Sequence, residues 1–276
     1  EPSILERIRA SESLESIQQK DVFPTLKVGE GEPLLPTSSY MVFDKETGTP
    51  LVEKNIRDVR YVASITKLVT ATVALEKNDP EEIVTISWQA LQVPYPTMGL
   101  YVGEQIALKD LISGMLIMSA NDAAQAVAYH VGGGDYGRFV GLMNEKAREI
   151  GMRSSSFSNA MGLDNENNYA SVEDLGYLAR YVIRDDFILT MVAKKEYRVN
   201  ARDNGAVHYL LNSNQLLWDK DITVVGLKTG STPQAGGCLI AIARNSEGRE
   251  IITIILGSYD RFGETKQLIE WSFANI

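Results

Sequence analysis

The first and last thirds of the chain carry stretches typical of β-strands, and the pattern between them is largely helical. The strand-like stretches are Ser39–Phe43, Pro50–Glu53, Thr223–Lys228, Cys238–Ala243 and Ile251–Leu256. Helical periodicity begins at Ala63 and persists to about Val192, and Gly263–Asn275 is predicted to form a closing helix. Strands from both ends of a chain that enclose a helical middle predict one α+β unit with an antiparallel sheet. A surface helix is also predicted over Ile4–Gln19, ahead of a turn-rich, proline-containing linker.

The composition excludes several classes of protein. The chain has 276 residues and a formal net charge of −9, which disfavours non-specific binding to nucleic acid. One cysteine, Cys238, and two histidines allow neither an intramolecular disulfide nor a Cys/His zinc site, so no metal is predicted. The longest charge-free run, Ile83–Gly103, contains Pro94 and Pro96 and is not expected to cross a membrane. Because the chain begins at Glu1 without a signal pattern, we expect a mature or trimmed form, with any signal peptide or anchor outside it.

The segment Ser64–Leu75 contains only apolar, small or hydroxyl-bearing residues apart from Lys67. A helix that is apolar on all sides is a buried helix, so Lys67 is expected in the interior. Ser64 and Lys67 stand three residues apart and therefore share one helical face. Burial lowers the pKa of a lysine, and a neutral amine can take the proton of a serine hydroxyl. The alternative is that Ser64 caps the helix while Lys67 extends to solvent.

Two further motifs place polar side chains at the ends of predicted elements. Ser119 and Asn121 lie between a helical stripe and a helix predicted to begin at Asp122. Taken alone, this motif favours helix capping, and the alternative is that both side chains point into a cleft. Lys228-Thr229-Gly230 ends a predicted strand. This tripeptide fits either a strand that emerges into solvent or an edge strand whose glycine lets a ligand approach the backbone closely.

The motifs occur in the order Ser64-x-x-Lys67, Ser119-x-Asn121, Lys228-Thr229-Gly230, an arrangement expected by chance in on the order of one chain in a hundred. The set is shared by penicillin-binding proteins and class A β-lactamases. From about Ser38 to Phe273 the chain resembles the serine D-alanyl-D-alanine carboxypeptidases, the low-molecular-mass penicillin-binding proteins. The longer stretches similar to that family's signatures are Ala63–Leu68, Ser119–Ala124, Phe157–Leu163, Asn212–Leu217 and Gly226–Thr232. Many members carry a further C-terminal β-domain and a membrane-anchoring helix, and this chain stops where the catalytic domain is expected to end.

The resemblance implies an α+β fold of the β-lactamase/DD-peptidase type. Its antiparallel sheet would have about five strands flanked by helices, with an all-helical subdomain. One domain is expected over residues 1–276, with an α/β part at about 20–75 and 205–276, a helical part at about 76–204 and no C-terminal β-domain.

The resemblance also implies a serine-type hydrolase that removes the terminal D-Ala from peptidoglycan stem pentapeptides through an acyl-enzyme, without a cofactor. The implied site residues are Ser64, Lys67, Ser119, Asn121 and Lys228 for catalysis, Thr229, Gly230 and Ser231 for substrate binding, and the backbone N–H groups of Ser64 and Ser231 for the oxyanion hole. Lys67 would be the base for Ser64. β-Lactams are the expected covalent inhibitors. The expected location is extracytoplasmic, where peptidoglycan is found.

Three other functions stay open. A D,D-endopeptidase acting on cross-linked peptidoglycan would use the same residues. Class A β-lactamases activate water with a Glu four residues before an Asn, whereas Glu166 is followed at that spacing by Ala170. An inactive module that binds cell-wall peptides is disfavoured because both motif lysines accompany the serine. A Ser-His-Asp triad is disfavoured because the lysine-based set leaves His130 and His208 no role.

Overall fold

The computed structural model describes residue 33 and residues 35–203 and 205–276 of the chain. The helix predicted over Ile4–Gln19 lies outside these residues, as does most of the linker that follows it. Within the described part of the chain, none of the helices combines the length and the apolar character that a membrane span requires.

Five strands of the described residues form one central sheet. The strands in the described residues are β1 (Ser39–Asp44), β2 (Pro50–Lys54), β3 (Arg60–Tyr61), β4 (Ile83–Thr85), β5 (Gln105–Ala107), β6 (Tyr169–Ala170), β7 (Glu196–Asn200), β8 (Val207–Leu211), β9 (Thr223–Thr232), β10 (Gly236–Arg244) and β11 (Glu250–Ser258). Five of them form the antiparallel sheet, in the order β2-β1-β11-β10-β9. Its strands come from the first and last thirds of the chain, so the predicted α+β class is confirmed.

Helices pack on both faces of this sheet. The α-helices in the described residues are α1 (Thr66–Lys77), α2 (Leu108–Ile117), α3 (Asn121–Val131), α4 (Tyr136–Glu149), α5 (Val172–Val182), α6 (Asp186–Val192) and α7 (Arg261–Ala274). Helix α7 packs against β10 and β11, whereas α5 packs against β1 and β11 from the other face. The closing helix predicted near the end of the chain is therefore confirmed as α7.

The alternation of side chains in the sheet serves two hydrophobic cores. In β1, Met41 and Phe43 belong to the larger core, which includes residues of α1–α6. The alternate residues Tyr40 and Val42, whose side chains point to the opposite face, belong to a smaller core beneath α7. Helix α1 runs through the larger core and is buried from Thr66 to Ala74. The start of α1, which carries the first motif, is thus held in the interior of the protein.

The middle of the chain is less uniformly helical than predicted. Strands β4, β5 and β6 interrupt the run from Ala63 to Val192, and each has only two or three residues, too few to show a periodicity in the sequence. The β7–β8 hairpin also has no counterpart among the predicted strands. In β8 the exposed residues Tyr209 and Leu211 are apolar and the buried His208 is polar, so the pattern of this strand does not report its burial. The division of the chain into an α/β part and a helical part stays a prediction.

Candidate active site

Ser64 and Lys67 form the centre of the site. Ser64 lies in the 3₁₀-helical turn Ala63–Ile65, immediately before α1, and is half-buried. Lys67 in the first turn of α1 is completely buried, and its Nζ lies 2.9 Å from Ser64 Oγ. The N-cap of α1 is Ile65 and no side chain caps it. The alternative in which Ser64 caps the helix and Lys67 extends to solvent is therefore wrong.

The surroundings of Lys67 favour the neutral amine. Besides Ser64, its Nζ lies 2.8 Å from Asn121 Oδ1 and 2.7 Å from the carbonyl oxygen of Met161. Burial is the main cause that holds the pKa of Lys67 well below its ordinary value, and the charge of Lys228 lowers it further. The carboxylate of Asp122 raises this pKa, but it is the smallest of the three effects. A buried amine next to a serine hydroxyl has the properties of a base that activates a nucleophile.

The second motif lies at the connection between α2 and α3. Helix α3 begins at Asn121 with Ala120 as its N-cap, and no side chain caps it, so helix capping does not explain this motif. Asn121 Nδ2 donates to the carbonyl oxygen of Pro94 at 2.9 Å, which leaves Oδ1 facing Lys67. Ser119 is 7% exposed and has a φ of 67°, a left-handed conformation that is strained for serine. Such strain often accompanies functional positions.

The third motif lies within the edge strand β9, close to its C-terminal end. Lys228 is buried, its Nζ donates to the carbonyl oxygen of Thr229 at 2.9 Å, and its pKa is lowered to about 7 by burial and by the charge of Arg261. A Cβ at Gly230 would lie 2.8 Å from the backbone nitrogen of Ser64, so glycine is what permits this close approach. Ser231, the next residue, is exposed.

The predicted site residues converge to different degrees. Hydrogen-bond distances join Ser64, Lys67 and Asn121, and Gly230 packs directly against Ser64. Lys228 interacts with Lys67 through its charge. The side chains of Ser119 and Ser231 have no hydrogen-bond partner among the residues that the structure describes, and their roles stay predictions.

Asp122, which the sequence pattern marks only as the start of a predicted helix, also belongs to the site. It is buried, and its carboxylate accepts hydrogen bonds from the backbone N–H groups of Met98, Gly99 and Leu100. The same loop supplies the carbonyl oxygen of Pro94 to Asn121. Asp122 thus fixes the loop against which Asn121 is oriented.

Ser213 and Arg261 were also missed. Ser213 Oγ lies 2.6 Å from Thr229 Oγ1, and a similarity in the stretch Asn212–Leu217 was the available signal. Arg261 begins α7 near Gly237 of β10, and its buried Nε has no hydrogen-bond partner within the described residues. The positive charge of Arg261 contributes to the lowered pKa of Lys228. No sequence pattern pointed to Arg261, since an arginine at a helix start is ordinary.

Neither histidine contacts the catalytic candidates. His130 Nε2 lies 2.9 Å from Glu82, and His208 is buried between Glu104 and the carbonyl oxygen of Met98. In the described parts of the chain, no group of three or more His, Cys, Asp or Glu side chains is arranged to hold a metal ion. The lysine-based set is therefore the chemistry that the geometry supports.

Comparison with solved structures identifies the fold as that of the DD-peptidases. The Streptomyces K15 DD-transpeptidase matches 88% of this chain and 99% of its own with a TM-score of 0.82 and 26% identity. Penicillin binding protein 5 from Haemophilus influenzae matches 89% of this chain and 73% of its own with a TM-score of 0.80 and 31% identity. The expected sheet flanked by helices is confirmed by these neighbours.

Residues 27–260 match the family profile of the D-alanyl-D-alanine carboxypeptidases, peptidase family S11. This chain belongs to that family, so the resemblance seen in the sequence is confirmed. D-alanyl-D-alanine carboxypeptidase DacA of Haemophilus influenzae is 33% identical over 91% of this chain, and DacA of Escherichia coli K12 is 32% identical over 88%. The chain spans 65% and 62% of the length of these two relatives.

Proposed function

We propose that this protein is a serine D,D-carboxypeptidase that removes the terminal D-Ala from peptidoglycan stem pentapeptides. The observation that carries the proposal is the completely buried Lys67 with its Nζ 2.9 Å from Ser64 Oγ. The family and the curated relatives named D-alanyl-D-alanine carboxypeptidase support this choice of substrate. Because peptidoglycan lies outside the cytoplasmic membrane, the proposed location is extracytoplasmic.

Acylation begins with proton transfer from the Ser64 hydroxyl to the neutral amine of Lys67. Ser64 Oγ then bonds to the carbonyl carbon of the penultimate D-Ala, and the carbonyl oxygen becomes an oxyanion. The backbone N–H groups of Ser64 and Ser231 donate to that oxyanion, and Gly230 supports this role because it packs against Ser64. Losing one such donor typically lowers kcat by about 10²–10³.

Collapse of the oxyanion breaks the peptide bond and releases D-Ala as a free amine. The leaving nitrogen needs a proton, which Ser119 and Lys228 relay, and a pKa of about 7 lets Lys228 give and regain one near neutral pH. Asn121 Nδ2 uses one N–H for Pro94 and retains the second for the substrate amide. Water then hydrolyses the ester on Ser64 and restores the enzyme.

The terminal carboxylate is received at the end of β9. The hydroxyls of Thr229 and Ser231 donate to this carboxylate. Ser213, whose Oγ lies 2.6 Å from Thr229 Oγ1, orients the hydroxyl of Thr229. Arg261, which lies next to Gly237 of β10, contributes a positive charge, and its buried Nε has no hydrogen-bond partner among the described residues. An acidic protein thus concentrates cations where an anionic end group binds.

The proposal is tested by mass spectrometry with penicillin and with a D-Ala-D-Ala pentapeptide. The wild-type protein should gain one penicillin and release one D-Ala per peptide, whereas Ser64→Ala should do neither. Ser246→Ala, at an exposed position in the β10–β11 turn, is the matched control and should behave as wild type. Release of D-Ala by Ser64→Ala would overturn the assignment.

The same assay on cross-linked dimers decides between carboxypeptidase and endopeptidase activity. A carboxypeptidase releases D-Ala from the pentapeptide and leaves the cross-link intact. β-Lactamase activity has no support from Glu166, which lines a cavity with Arg60, Tyr61 and Tyr169; neither Ser64 nor Lys67 is among the residues that line it.

A further inference from the structure

A main-chain carbonyl is one of the groups that contact the catalytic lysine. The carbonyl oxygen of Met161 lies 2.7 Å from Lys67 Nζ and 3.4 Å from Ser64 Oγ. It belongs to the segment Asn159–Leu163, between α4 and β6, which we call the Asn159 turn. The mechanism above gives this turn no role.

The side chain of Asn159 holds the turn in its conformation. Its Oδ1 accepts from the backbone N–H groups of Met161, Gly162 and Leu163 at 3.2, 2.7 and 3.0 Å. Its Nδ2 donates to the carbonyl oxygen of Leu163 at 3.1 Å. One side chain therefore pairs with three of the five backbone N–H groups of the turn and with one of its carbonyl oxygens. The hydrogen bonds of this side chain reach neither Ser64 nor Lys67.

The turn is also pressed against the segment that carries Ser64. Thr70 of α1 donates to the carbonyl oxygen of Ala160 at 2.8 Å. The backbone N–H of Ala160 donates to the hydroxyl of Tyr136 at 2.9 Å. Gly162 has a φ of 85°, and a Cβ there would lie 1.9 Å from the carbonyl oxygen of Ala63. The position of the turn relative to the catalytic serine is thus closely fixed.

The contacts of Lys67 determine the direction of its lone pair. A neutral amine has two N–H bonds to donate and one lone pair to accept with. Asn121 Oδ1 and the carbonyl oxygen of Met161 can only accept, so together they take both N–H bonds. The lone pair is then left for the third neighbour, the hydroxyl of Ser64 at 2.9 Å.

We infer that Asn159 is a positioning residue for acylation. By holding the Asn159 turn it keeps the carbonyl of Met161 on Lys67, and this contact aims the lone pair of Lys67 at the proton that Ser64 gives up. Without the contact, the amine is free to rotate and to present an N–H bond to Ser64 instead. The inference rests on the proposed function, in which Lys67 is the base.

The test is stopped-flow acylation of the full chain by a chromogenic cephalosporin, which separates non-covalent binding from the acylation rate constant. Asn159→Ala should lower the acylation rate constant by about 10²-fold, the scale on which small misplacements of reacting groups act. The dissociation constant of the non-covalent complex should stay within about threefold, because Asn159 does not touch the proposed substrate site.

Two further variants distinguish positioning from a general loss of structure. Asn159→Asp keeps an oxygen that accepts from the same three N–H groups, so its acylation rate constant should recover to within about tenfold of wild type. Asn144→Ala removes side-chain hydrogen bonds to the backbone of Phe157, two residues before the turn, and should lower the melting temperature without changing the acylation rate constant. If Asn159→Ala does not fold, Asn159→Gln makes the same test, since its longer side chain misplaces the accepting oxygen.

Either of two results would overturn the inference. One is a folded Asn159→Ala or Asn159→Gln variant that acylates within about threefold of wild type. The other is an equal loss of acylation in Asn144→Ala. A wild-type protein that forms no adduct would instead overturn the proposed function, and the role of Asn159 with it.

Discussion

Replacing Lys67 by arginine tests the base directly. Complete burial, and after it the charge of Lys228, hold the pKa of the wild-type amine well below its ordinary value and favour its neutral form. A guanidinium keeps its proton under all ordinary conditions, so Lys67→Arg has no lone pair to offer Ser64. Removing a general base typically costs about 10²–10⁴ in rate, which corresponds to about 2.7–5.4 kcal/mol in the barrier. The acylation rate constant for penicillin should fall by at least the lower of these factors.

The assay is the time course of adduct formation, followed by mass spectrometry at several penicillin concentrations. Lys67→Met is the matched variant, because it removes the base without burying a charge. Its acylation rate constant should fall by the same factor as that of Lys67→Arg, and its melting temperature should be no lower. Melting curves show that each variant is folded. An arginine variant that acylates at nearly the wild-type rate would remove Lys67 from the role of base.

Three further predictions follow from the geometry of β9 and the ester on Ser64. Thr229→Val keeps the shape but deletes the hydroxyl, so hydrolysis should fall more for D-Ala-terminated peptides than for a thioester without a carboxylate; equal losses would mean that Thr229 only supports the strand. Penicillin retains its leaving group in the adduct, where this group blocks the approach of water to the ester. A one-to-one mass increase should therefore persist after excess drug is removed, and a rapid return to the unmodified mass would favour a β-lactamase. The pKa of Lys228 is lowered to about 7 in the folded protein. Between about pH 7 and about pH 10.4 the folded protein therefore binds fewer protons than the unfolded chain, and the free energy of unfolding rises with pH in this range. Lys228→Met should therefore melt above wild type at pH 7 and below, with a difference that shrinks towards pH 10, and a constant difference would contradict the buried amine.

The central sheet could be predicted from sequence because its strands alternate or are continuously apolar. Strands of two or three residues carry no such signal, and β3 and β6 are recognisable only from their pairing in space. The β7–β8 hairpin was missed because the exposed residues Tyr209 and Leu211 of β8 are apolar while its buried His208 is polar, so no alternation marks the buried face of β8. Hydrophobic periodicity in a sequence thus reports which side chains are buried, and it does not reveal elements that bury few side chains.

The motif residues could be singled out from the sequence because their side chains are of the types that the proposed chemistry needs. The alternatives based on helix capping were wrong at Ser64 and Asn121, since capping preferences describe a local pattern and tertiary contacts decided both positions. The carbonyl of Met161 could not be predicted from residue type, because every residue has one. Arg261 could not be predicted from the sequence either, because only the packing of α7 on the sheet brings it close to the site.

The pairing of β1 with β11 has a consequence for how the protein is made. Thr37 Oγ1 donates to the carbonyl oxygen of Leu256, 219 residues further along the chain, and β9 lies beyond β10 and β11 in the same sheet. Contacts of such high sequence separation form late and slowly in folding. An emerging chain already carries Ser64 and Lys67 long before β9 exists to stand against them. Penicillin labelling during synthesis should therefore count completed chains, and nascent or truncated chains should remain unlabelled even though they contain the nucleophile.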